Sequence, residues 1–101
     1  MSTIEQDIGK LLRERGLTLG VVESATGGLI SHLVTNVPGS STFYKGSVTA
    51  YSNEIKIKLV GVKGETINRY GAVSSQVARE KTRGGRKSLY VDVCLADTGI
   101  A

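Results

Sequence analysis

Leu17-Thr18-Leu19-Gly20-Val21-Val22, followed at once by Glu23-Ser24-Ala25-Thr26-Gly27-Gly28 and then by Leu29-Ile30-Ser31-His32-Leu33-Val34, is the stretch that decides the fold. A short apolar run that breaks into hydroxyls and glycines, then resumes at helical spacing, reads as strand, tight turn, helix. Such a turn stands at the carboxyl end of a strand, where open α/β sheets hold their ligands. It also aims the free N–H groups of a helix start at whatever binds there, which favours an anion. Ser24 is therefore a candidate nucleophile, and Thr26, Gly27 and Gly28 form a candidate ligand cradle.

Outward from this turn the same alternation continues. Ile4, Ile8, Leu11 and Leu12 recur at helical spacing, with Ser2 or Thr3 able to cap that helix and Gly16 able to end it. Asn36-Val37-Pro38-Gly39-Ser40-Ser41 is turn chemistry. A strand is expected over about Gly46 to Tyr51, then a short helix capped by Ser52 or Asn53 and carrying Ile55, Ile57, Leu59 and Val60. A further short helix spans Glu65 to Tyr70. Ser74 or Ser75 caps a longer helix to about Ser88, weakened by Gly84-Gly85, and Tyr90 to Ala96 reads as a buried strand. Helices alternating with strands predict an α/β fold: three α/β/α layers around a small, largely parallel sheet.

The 101 residues suit one domain, residues 1–101, and 40% hydrophobic with 22% charged residues is ordinary for a globular chain. No apolar stretch approaches the roughly 20 residues needed to span a bilayer. The amino terminus has no basic and apolar signal segment, so a cytoplasmic location is the expectation. A single cysteine excludes an internal disulfide. The net charge of +4 comes largely from Lys81, Arg83, Arg86 and Lys87. Such a run is expected to be a solvated helix face. Without aromatic interleaving or a helix-turn-helix pattern, it does not argue for nucleic acid.

Ser24 needs a partner that removes its proton. His32, the only histidine, falls about two turns into the following helix, on the wrong side for a triad. A lysine whose amine is made neutral by burial is the other activator. Tyr51-Ser52-Asn53-Glu54-Ile55-Lys56 sets a phenol at a strand end and an amine in the next helical turn. Together with Ser24 these groups carry proton transfer without a metal or cofactor. The competing reading leaves Tyr51 packed at a sheet end and Lys56 solvated. Gly61-Val62-Lys63-Gly64-Glu65-Thr66 lacks the ending of a phosphate loop and reads as a turn with a helix cap. Cys94 reads as a buried, inert thiol. With one histidine and one cysteine, no zinc site is expected.

Six segments together resemble the CinA C-terminal domain family of competence/damage-inducible proteins, which includes stand-alone nicotinamide-nucleotide deamidases. They are Glu23–Ile30, Thr35–Ser41, Tyr51–Lys56, Leu59–Val62, Tyr70–Ser74 and Thr98–Ala101, in the family's order and near its spacing. The resemblance implies hydrolysis of the carboxamide of nicotinamide mononucleotide to nicotinic acid mononucleotide and ammonia. It places the nucleophile on Ser24 and its tyrosine and lysine on Tyr51 and Lys56. Amides around Ala25 to Gly28 would hold an oxyanion or a phosphate, with Ser40, Ser41, Thr98 and Gly99 as further contacts to a pyridine nucleotide. It also implies a homo-oligomer.

The chain departs from the family pattern in three places. Ala25 stands where cysteine is common, and Asp97 is an unexpected charge before Thr98. The family pattern also continues past Ala101 into a glycine-rich loop and further strands, so the fold is expected to be incomplete relative to the family. Two readings follow: an amidohydrolase-type domain using Ser24, Tyr51 and Lys56, or a non-catalytic module that binds nucleotide or self-associates through an open sheet edge.

Overall fold

The computed structural model describes residues 1–100; Ala101, the last residue of the Thr98–Ala101 segment, lies outside them. The described residues form five helices and three strands, with three helices in succession between β2 and β3: α1 (Ile4–Arg15), β1 (Leu19–Glu23), α2 (Leu29–Thr35), β2 (Tyr44–Thr49), α3 (Asn53–Val60), α4 (Gly64–Tyr70), α5 (Ser75–Leu89) and β3 (Val93–Ala96). A single 3-10 turn, Ser40–Thr42, precedes β2.

Local chemistry sets the helix ends. Thr3 caps α1, its hydroxyl accepting from the Gln6 amide while the Gln6 side chain accepts from the Thr3 amide, a reciprocal capping box. Gly16 ends the helix in the left-handed conformation at φ 63°. Ser52 and Ser74 cap α3 and α5 through the amides of Ile55 and Val77.

The sheet is wholly parallel in the order β2-β1-β3. Every residue of β1 is buried, as a central parallel strand requires. Its alternate side chains feed two cores. Leu19 and Val21 pack with Leu12, Val34, Val37 and Phe43 beneath α1 and α2. Val22 packs with Val60, Val77, Val91 and Cys94 beneath α3, α4 and α5. The result is the expected three-layer α/β/α arrangement around a three-stranded sheet.

Several local expectations change: the second strand runs Tyr44–Thr49 rather than Gly46 to Tyr51, and only Cys94 of the third is buried. The third strand begins at Val93 rather than Tyr90, because Tyr90 adopts φ 54° as the left-handed cap of α5. The glycine pair Gly84-Gly85 does not fray α5, which runs on to Leu89. Lys81 does not sit on a solvated face: it is fully buried, in line with Val77 and Gly85, while Arg83, Arg86 and Lys87 are exposed. The i, i+4, i+8 spacing of Val77, Lys81 and Gly85 puts all three on the stripe that faces the sheet.

Candidate active site

The parallel sheet gathers three loops at the carboxyl ends of its strands. Glu23 pairs with Thr49, and the Ala50 amide donates to the Glu23 carbonyl at 2.8 Å, so Ser24 and Tyr51 leave adjacent strand ends. Val22 pairs with Ala96, which brings Asp97 to the same end on the other side. Ser24 is 5% exposed and Lys56 is 5% exposed. The first turn of α3 turns Lys56 back toward the strand end, where its Nζ donates to the Tyr51 carbonyl at 3.0 Å. Serine and lysine are thus both desolvated at neighbouring strand ends. Among the described residues no hydrogen bond joins Ser24 Oγ to Lys56 Nζ. The Tyr51 phenol does not enter this cluster: its side chain is largely exposed, and its carbonyl makes the contact with Lys56.

The loop after Ser24 differs from an open anion cradle. The fully buried Glu23 carboxylate accepts from Thr26 Oγ1 (2.8 Å), Gly28 N (3.1 Å), Ile30 N (2.9 Å), Ser31 N (2.9 Å) and the Ser31 hydroxyl. A carboxylate at the start of α2 satisfies N–H groups that a helix cannot satisfy itself. Burial alone would raise the Glu23 carboxyl; the Ser31 hydroxyl and amide, with Thr26 and Ile30, outweigh it and hold the group below its ordinary range. Asp97 takes the other half of the loop, accepting from Ser24 N (2.8 Å) and Thr26 N (3.2 Å) and sharing the single proton of Thr26 Oγ1 (2.9 Å) with Glu23. The Gly27 and Leu29 amides bond to Ser24 O and Thr26 O. From Ser24 to Ser31, only the Ala25 amide has no acceptor among the described residues. The cradle expected over Ala25 to Gly28 therefore narrows to the Ala25 N–H, because the Glu23 and Asp97 carboxylates and the Ser24 carbonyl take the rest.

The remaining candidates divide. Gly99 passes beside the loop, where an added Cβ would lie 3.5 Å from that of Ala25, and the Thr98 hydroxyl donates to the Ala72 carbonyl at 2.8 Å. Ser40 and Ser41 do not join them. They lie in the turn before β2, at the opposite end of the sheet, where Leu19 pairs with Tyr44. His32 is exposed on α2, its ring 3.3 Å from Asn36 Nδ2, and Cys94 is buried with its thiol pushed up by desolvation.

Sequence reasoning missed Glu23 and Lys81 as parts of this region, and singled out Asp97 only as an odd charge. A carboxylate just ahead of a glycine-rich helix start was a signal for Glu23. The buried-stripe spacing on α5 was one for Lys81.

A buried serine and lysine at the carboxyl ends of a parallel sheet define an α/β domain with a candidate ligand site at that end. The family model of the CinA C-terminal domain matches residues 1–101, and the chain belongs to that family. It is 50% identical over 100 residues to a CinA-like protein of Dictyoglomus turgidum, covering 99% of this chain and 24% of that protein. It is 49% identical over 98 residues to a CinA-like protein of Thermotoga neapolitana, covering 97% and 24%. The chain thus spans about a quarter of the length of these curated relatives. A crystal structure of a competence-damaged protein (CinA) superfamily protein from Escherichia coli is similar with a TM-score of 0.93 and 28% identity, over 94% of this chain and 55% of that one. No helix among the described residues is long and apolar enough to cross a membrane.

Proposed function

We propose that this chain carries a serine-dependent amidohydrolase site for the carboxamide of nicotinamide mononucleotide. The observation that supports the reading most directly is the shared burial of Ser24 and Lys56 at adjacent strand ends. Ser24 Oγ attacks the carboxamide carbon while Lys56 takes its proton. The tetrahedral oxyanion meets the Ala25 N–H, the one amide from Ser24 to Ser31 without an internal acceptor among the described residues. Collapse breaks the C–N bond, and the proton returned by Lys56 leaves with ammonia. Water, deprotonated by the same amine, then attacks the acyl carbon; the C–O bond to Ser24 breaks, the amine returns its proton to Ser24 Oγ, and the acid product leaves and ionises to the carboxylate. Tyr51 acts through its carbonyl, which orients Lys56, and not through its phenol. Within this reading the pyridine nucleotide is a small-molecule partner, the chain works in the cytoplasm, and it self-associates.

Ammonia release from nicotinamide mononucleotide is the test. Ser24→Ala is expected to abolish release, and Lys56→Met to lower it by about 10²–10⁴-fold, the usual worth of a positioned base. Unchanged release in Lys56→Met would overturn the assigned roles.

One observation favours a second reading, a non-catalytic self-associating module. β3 leaves Val93 40% and Leu95 47% exposed, beside a groove of about 330 Å³ that also touches Ile4, Ile8 and Leu33. Apolar surface gathered in this way favours association. Light scattering is expected to show a species larger than one chain, and a monomer at high concentration would count against self-association. An associated species without ammonia release would favour the second reading over the first.

A further inference from the structure

Lys81 is fully buried and takes no part in the steps above. Its Nζ donates to the main-chain carbonyl of Asp97, at the point where β3 ends. Burying an ammonium group costs several kcal/mol unless other groups compensate. Here burial is the main cause that depresses the Lys81 amine, and the Asp97 charge opposes it.

β3 has four residues and, among the described residues, pairs only with β1. Beyond Ala96 the ladder gives way to one long bond, Asp97 N to Val22 O at 3.3 Å. The ladder by itself fixes Asp97 poorly. Yet Asp97 holds the amides of Ser24 and Thr26, more than seventy residues earlier in the chain. The second half of that loop is held differently, by Glu23 from within eight residues.

We propose that Lys81 and Asp97 form a positioning pair for the candidate nucleophile: the Lys81 amine pins the end of β3 to α5, and the Asp97 carboxylate fixes the backbone of Ser24 and Thr26. The pair acts on Ser24 without touching substrate, and its catalytic consequence rests on the deamidase reading above. Its structural consequence does not. The loop has two differently anchored halves that meet at the Thr26 hydroxyl, which lies between both carboxylates, and only the half bearing Ser24 depends on this remote brace for its amides.

Residue-resolved amide exchange of the whole chain tests it, with Asp97→Asn and Lys81→Met as separate variants. The asparagine offers one acceptor where the carboxylate offers two, and methionine keeps most of the lysine stem's volume without a donor. In both, protection at Ser24 and Thr26 is expected to fall by about tenfold or more, with Ile30 and Ser31 unchanged. Unchanged protection at Ser24 and Thr26, or equal loss across all four amides, would overturn the proposal.

Deamidation kinetics give a second readout. Asp97→Asn is expected to lower kcat by about tenfold or more at unchanged KM, since small misplacements of a reacting group are costly. A raised kcat would overturn the proposal, because the carboxylate would then be competing with the oxyanion for the loop amides. If the parent chain releases no ammonia, the deamidase reading fails, and the exchange pattern still decides whether the brace exists.

Discussion

Replacing Glu23 by glutamine is expected to destabilise the fold by about 3 kcal/mol or more, the scale set by breaking a buried, multiply bonded charge. The substitution is nearly isosteric, so no cavity is involved. Glu23 receives five donors and offers only acceptors. Glutamine turns one acceptor into an NH2 group facing N–H and O–H donors, at a fully buried position. Urea unfolding at pH 7 measures the loss. A change below about 0.5 kcal/mol, the level of an ordinary surface substitution, would contradict this role.

The same residue gives the chain an acid-side stability slope. Its folded pKa lies below the ordinary value of 4.5. The unfolded state therefore binds its proton first as pH falls. The contribution is fully present above about pH 4.5 and is lost as pH falls through the depressed folded value. Unfolding free energies followed from pH 7 down to pH 3 are expected to decline more steeply in the parent chain than in Glu23→Gln, and parallel curves would remove Glu23 as the cause.

The second large effect is expected at Gly84. In an exposed helix, glycine to alanine gains about 1 kcal/mol. Here the sign reverses. A Cβ on Gly84 would fall inside the van der Waals envelope of the Val60 main-chain carbonyl, where α5 crosses the end of α3. A backbone group cannot swing aside as a flexible side chain can, so α5 must lift from α3 and from the core that both cover. The expected loss is about 3 kcal/mol, at the upper end of overpacking effects. In a domain of this size that lowers Tm by more than about 10 °C. Gly85→Ala meets Val22 and, at 2.7 Å, Cys94 Sγ, which are side chains, so a smaller loss is expected there. A Gly84→Ala chain that melts at or above the parent temperature would show that the helices do not approach so closely.

These two residues mark the boundary between what was legible in the sequence and what was not. Gly84-Gly85 reads as a weakness of α5 when only helix propensity is considered; against Val60 and Cys94 it is the condition for close packing. Glu23 reads as one polar residue at a strand end until the turn closes and delivers the amides of Gly28, Ile30 and Ser31 to its carboxylate. Lys81, one charge among four in a basic run, faces inward because its stripe on α5 is the stripe of Val77.

The amino-acid sequence by itself determined the alternation of elements, the caps at Thr3, Ser52 and Ser74, the left-handed stop at Gly16, and the strand–turn–helix that places Ser24 at a sheet end. Those features are local, since each cap finds its partner three residues away and each apolar stripe repeats within a turn or two. Only the tertiary structure decided that Lys56 is buried, that the Tyr51 phenol stays outside, that Ser40 and Ser41 stand at the far end of the sheet, and that Asp97 and Lys81 brace the Ser24 loop. Those outcomes depend on parallel strand pairing and on helix packing across the sheet, which join groups far apart in the chain and have no short-range signature.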